Sequence, residues 1–112
     1  MKSTKLPPAR IDQASYMELE NLRRELSATQ SQYMHESVII RLAIANYKSW
    51  RADNPGKLPA RAVEPLSVTL TLVWLEPELM AFLDAVSIED MANRSQVVRD
   101  AIMAYLHPED FQ

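Results

Sequence analysis

The side chains that could do chemistry in this chain fall into a few groups. Ser67, Thr69 and Thr71 recur at every second position, so an extended segment would carry three hydroxyls on one side. Lys2, Lys5 and Arg10 near the start, and Lys48, Arg51, Lys57 and Arg61 further on, are cations able to neutralise a polyanion. Asn93-Arg94-Ser95 stands just ahead of an apolar periodic run, where Asn93 or Ser95 can cap a helix. Catalytic and metal-binding sets do not assemble. His35 and His107 are far apart, lack partners at metal-ligand spacing, and read as ordinary surface residues. Glu89-Asp90 and Glu109-Asp110 read as solvated acidic pairs. With no cysteine there is no disulfide, thiolate zinc site or cysteine nucleophile, and no glycine-rich phosphate loop occurs. The expectation is a binding protein, not an enzyme, with no cofactor and no metal.

The elements that would position these groups are mostly helices. The chain has 112 residues and a single glycine, which disfavours an all-β design rich in tight turns. Ser67 to Trp74 is the one clean alternating segment. It predicts a strand with Val68, Leu70, Leu72 and Trp74 inward and Ser67, Thr69, Thr71 and Val73 outward. Residues 6–12 contain Pro7 and Pro8 and allow at most a short edge strand, with Ala9 and Ile11 inward and Arg10 outward. Tyr16, Leu19, Leu22 and Leu26 predict a helix capped at Ser15, with Glu18 three positions on. Leu79, Phe82, Leu83 and Val86 predict another, with Pro77 in its first turn.

An internal repeat organises the rest. Glu36 to Tyr47 and Arg94 to Tyr105 align at a constant offset of 58, with Ser, Arg, Ala, Ile and Tyr recurring and Ile39-Ile40 replaced by Val97-Val98. Both copies read as amphipathic helices. One stripe carries Ile39, Ile40, Ala43, Ile44 and Tyr47. The other carries Val97, Val98, Ala101, Ile102, Tyr105 and Leu106, and His107-Pro108 ends it. Gln96, Arg99, Asp100 and Met103 fall off the second stripe. Val38 and Leu42 widen the first and suggest a further contact. The joints between helices differ by about two residues. The units are read as 5–48 and 66–107, with a basic linker over 49–65 that contains the turn signal Asp53-Asn54-Pro55-Gly56.

Strand, helix, helix, repeated once, resembles the ribbon-helix-helix (Arc/MetJ-like) family. The second copy is the closer match, with its alternating strand, Pro-Glu-Leu helix start, and Asn93-Arg94-Ser95 leading into a Val-Val-Arg-x-Ala-Ile helix. The resemblance covers about residues 5–48 and 66–106. It implies a mainly α fold in which two units form an intrachain pseudo-dimer with a two-stranded antiparallel ribbon. One unit alone is too small to bury sufficient apolar surface, and its lone strand would leave backbone groups unpaired. It also implies sequence-specific binding of double-stranded DNA by the ribbon in the major groove. Arg10, Ser67, Thr69 and Thr71 are then the expected base contacts. Asn93, Arg94 and Ser95 at one helix start, Ser37 at the other, and Lys5 are the expected phosphate contacts. An exposed β surface that favours threonine for propensity alone, and ordinary capping at Asn93, are the plainer explanations of the same residues.

Tandem chains of this kind look like TraY-type accessory proteins of conjugative relaxosomes, and single-unit relatives are mostly repressors. The resemblance thus implies a plasmid, phage or bacterial transcription regulator or conjugation factor. Further partners it allows are a relaxase or other protein, and a homo-oligomer formed through helix contacts. The competing expectation is a protein-interaction module, antitoxin-like or scaffolding, with weak or no DNA binding. Residues His107 to Gln112 are short for an antitoxin tail. Residues 1–61 carry a balance of +4 and residues 62–112 a balance of −7, which suits either a polyanion-facing half or two halves that attract each other. No stretch is long and apolar enough for a membrane span or a secretory signal, and the expected location is cytoplasmic.

Overall fold

A computed structural model describes residues 4–5, 9–55, 66–70 and 74–108. Within these the order is β1 (Thr4–Lys5), β2 (Arg10–Ile11), α1 (Gln13–Gln30), α2 (Glu36–Asp53), β3 (Val68–Thr69), β4 (Trp74–Leu75), α3 (Pro77–Asp90) and α4 (Arg94–Leu106). The protein is mainly helical with short antiparallel pairing, as expected. None of the described helices is long and apolar enough to cross a membrane.

The helix boundaries have local causes. Asp12 caps α1, its carboxylate accepting the Ser15 N–H at 2.9 Å. The expected cap, Ser15, lies instead within the first turn, buried, with its hydroxyl directed to the Met103 sulfur at 3.1 Å. The carboxylate three residues earlier takes that cap role, since it offers a charged acceptor to the same orphan amides. Pro77 opens α3, where its missing N–H costs nothing. Asn93 caps α4 by accepting the Gln96 N–H at 2.8 Å.

α1 and α3 end identically. Ser31 and Met91 each adopt φ 54° in the left-handed region. Gln32 and Ala92 donate back to the carbonyls of Ser27 and Ser87 at 3.1 and 2.9 Å. The hydroxyls of Ser27 and Ser87 in turn bond the carbonyls of Arg23 and Leu83. The repeat therefore extends back into the first helix of each copy, and the two-residue length difference falls in the joint, as the spacing suggests.

The core is centred where α2 meets α4. Ile39, Ile40, Ala43, Ile44 and Tyr47 are buried against Val97, Val98, Ala101 and Ile102. Each fully buried branched side chain contributes about 1.5–3 kcal/mol. Leu19 from α1, Met80, Leu83 and Val86 from α3, and Ala9, Ile11, Leu70 and Leu75 from the extended segments close it. Two expectations on these helices need correcting. Asp100, placed off the stripe, is buried; Tyr105 and Leu106, placed on it, are half-buried and pack against the core. Residues 49–53, assigned to the linker, continue α2, since Trp50 and Arg51 find partners on the rest of the molecule.

β2 pairs with β3 antiparallel, Arg10 opposite Thr69 and Ile11 opposite Val68, and the Leu70 N–H donates to the Ala9 carbonyl at 2.7 Å. β1 pairs with β4, Thr4 opposite Leu75 and Lys5 opposite Trp74. The two pairings share one stagger: equal steps along both segments lead from Arg10 and Thr69 to Lys5 and Trp74. Ala9, Ile11 and Leu70 face the core and Val68 is half-buried, as the alternation predicts. Trp74 does not face it. It is 55% exposed, and Leu75 takes the buried place. The inward run is thus out of phase by one at its end, because Leu75, directly before the cap of α3, is the residue that α3 brings over the core. Leu72 and Val73 lie outside the described residues.

Candidate nucleic-acid interface

Arg10 and Thr69 are cross-strand neighbours and both are exposed, so a guanidinium and a hydroxyl share one solvent-facing position on the β2–β3 pairing. Ser67 is also exposed, just ahead of β3. Thr71 lies outside the described residues. Trp74 joins this outward set from β4, and its carbonyl accepts a bond from Arg41 of α2 at 3.4 Å. Trp74 was expected to face inward, and Arg41 was given no role from sequence. The recurrence of Arg41 as Arg99 in the repeat was a usable signal, since an arginine kept in both copies off the apolar stripe serves something other than the core.

The two expected phosphate anchors differ. Before α4, Asn93 is exposed and engaged in capping, and Arg94 pairs through Nε with Asp84 at 2.6 Å. That hydrogen bond holds the Arg94 guanidinium pKa above its ordinary value. Ser95 is half-buried in the first turn. Before α2, His35 occupies the cap position without a side-chain cap bond, Glu36 stands in the first turn, and Ser37 is half-buried. The Glu36 charge pushes the Tyr16 hydroxyl pKa up. A carboxylate at the positive end of α2 already complements the helix dipole there, where a phosphate would otherwise sit. Lys5 is placed on β1 opposite Trp74.

The linker cations are differently placed from the expectation that they face a polyanion. Lys48 pairs with Glu78 of α3, holding the Glu78 carboxyl pKa below its usual value. Arg51 grips Asp90 with both terminal nitrogens, at 3.1 and 3.0 Å, and reaches Glu89 at 3.2 Å. Its side chain is 10% exposed and that of Asp90 is 1% exposed, so Glu89-Asp90 is not a solvated pair: Asp90 is an internal one. Burial works against the Arg51 charge, and the hydrogen bonds of Asp90 and Tyr47 outweigh it, leaving its pKa raised. His107, read as an ordinary surface residue, is partly exposed and meets Glu18 of α1 at 2.7 Å. The opposite charges of the two halves are thus used against each other. Lys57 and Arg61 lie outside the described residues.

No family model, curated protein or solved structure matches this chain.

Proposed function

We propose that the chain is a tandem ribbon-helix-helix protein, folded as an intrachain pseudo-dimer, that binds double-stranded DNA by laying its ribbon in the major groove. The observation that carries this reading is the pairing of β2 with β3 inside one chain, with Arg10 and Thr69 side by side on the face opposite the core. A two-stranded ribbon fits that groove, and outward side chains reach base edges. A second support is the symmetry of the pairing. Ile11 and Leu75 are buried, and each precedes the cap of the helix that follows, Asp12 for α1 and Glu76 for α3. Exchanging the two copies on that basis carries the pair Arg10 and Thr69 onto the pair Trp74 and Lys5.

Arg10, Ser67, Thr69 and Thr71 are proposed to contact bases. Asn93, Arg94, Ser95, Ser37 and Lys5 are proposed to contact phosphates, with Arg94 leaving Asp84 to do so. A cytoplasmic repressor or a relaxosome accessory factor would use this surface in the same way. Arg51 is committed to its enclosed pair with Asp90 and Lys48 to a surface pair with Glu78, and affinity should fall with salt along a shallow slope. The test is selection of bound fragments from random duplex DNA at low salt, repeated with Arg10→Ala and Thr69→Ala. A motif that both variants leave unaltered would remove the ribbon from the interface.

One observation favours the protein-interaction reading. A groove of about 430 Å³ runs between α2 and the start of α3, with Val38, Leu42, Ala45 and Leu79 apolar and Arg41, Lys48, Glu76 and Glu78 polar. A stoichiometric protein partner together with no DNA shift at low salt would favour it.

A further inference from the structure

The two ends of the ribbon carry different chemistry at corresponding places. Arg10 and Trp74 each stand two residues before a helix cap, each next to a buried aliphatic residue, Ile11 or Leu75, and each is exposed. Opposite them are Thr69 and Lys5. Trp74 is the largest apolar side chain on this face, and more than half of it meets solvent although a buried position lies one residue away. The backbone of this end is held to α2 by the Arg41 bond to the Trp74 carbonyl.

Resting on the DNA-binding reading above, we infer that the ribbon recognises a site whose two halves differ: Arg10 beside Thr69 selects guanine at one end, and Trp74 selects a thymine methyl at the other. A guanidinium presents a fork of donors that matches O6 and N7 of guanine. An indole has no acceptor and a single donor, and its broad face is apolar. The apolar feature of the major-groove edge is the C5-methyl of thymine. A symmetric operator would ask Trp74 to do the work of Arg10, and it has no means of gripping guanine in that way. Covalent tethering fixes which end is which, so the bound protein has one orientation on its site.

The experiment is selection from random duplex DNA with the intact chain, followed by binding measurements on the selected site with one thymine at a time replaced by deoxyuridine, which lacks the methyl. The wild type should select a non-palindromic motif with guanine toward one end and thymine toward the other. Loss of the methyl at the Trp74 end should weaken binding roughly two- to fourfold, up to the worth of one buried methyl group. Trp74→Ala should bind less tightly and be indifferent to that methyl, while the guanine preference at the other end persists. Trp74→Arg should change the preference at that end from thymine to guanine. Because Trp74 is exposed, helical circular dichroism should be unchanged in both variants. A palindromic wild-type motif, or the same methyl penalty in Trp74→Ala as in wild type, would overturn the inference while leaving DNA binding intact. Failure of the wild type to bind any duplex at low salt would instead overturn the functional reading and this inference with it.

Discussion

α2 and α4 repeat one another in sequence, yet their carboxyl ends are tied down in opposite ways. Each reaches across to the first helix of the other copy. α2 does so with Arg51, whose guanidinium is almost enclosed with Asp90 and lies against the Tyr47 ring and hydroxyl. α4 does so with His107, which meets Glu18 where both side chains remain partly in water. The crossing is shared; the chemistry is not. Free dimers of identical chains must use one set of contacts twice. A tethered pair can make one end a buried network and leave the other as a surface contact, so stability is expected to be uneven between them.

The widest gap should appear on removing Arg51. Arg51→Ala leaves the Asp90 carboxylate enclosed without its cation, which typically costs about 3–5 kcal/mol. Urea unfolding of the intact chain should show it as a lower midpoint, and a loss below 1 kcal/mol would mean that the network is as dispensable as a surface pair.

Tyr47 offers a second way to separate the ends. Burial first, and then the Asp100 charge, push its hydroxyl pKa to about 12, above the usual 10. The folded chain therefore holds this proton more tightly than the unfolded chain. The stabilisation is complete below pH 10 and is lost as pH rises from there through about 12. The full loss is roughly 3 kcal/mol. Tyr47→Phe should flatten the alkaline limb of the stability curve.

These contrasts mark where the sequence was legible. The core stripe of α2, the inward set Ala9, Ile11 and Leu70, the Pro77 helix start and the Asn93 cap all follow from periodicity and local chemistry, which are short-range properties of the chain. The repeat foretold two similar helix pairs. Asp90 was misread because its partner, Arg51, is distant in sequence, and an ion pair leaves no periodic trace. Trp74 was misplaced for a related reason: alternation fixes which residues share a face only while the phase holds. The phase at the end of the segment is set by how α3 docks, which brings Leu75 inward. For the interface, Arg10 and Thr69 could be proposed as outward residues, but their being neighbours is a matter of register, and register is fixed by the whole fold.

The helix starts give a smaller contrast. Asn93→Ala removes the side-chain bond to Gln96 and should cost about 1 kcal/mol, within the usual range for an N-cap. At the matching place in the first copy His35 makes no such bond. His35→Asn should therefore stabilise by a similar or smaller amount, and thermal unfolding of the two variants should move the midpoint in opposite directions.

The smallest effect is expected at the exposed tie. His107→Ala removes the contact with Glu18, and pairs this open to water contribute about 0.2–1 kcal/mol. When the imidazole is protonated, the contribution should also shrink as salt is raised, because a partly exposed ion pair is screened. The Arg51 effect should persist at high salt, since solvent ions cannot enter a pair whose carboxylate is 1% exposed. Comparing His107→Ala and Arg51→Ala at low and high ionic strength thus tests burial itself as the cause of the difference. If both losses fell together with salt, the two ends would be equivalent, and the idea that tethering let them diverge would lose its physical basis.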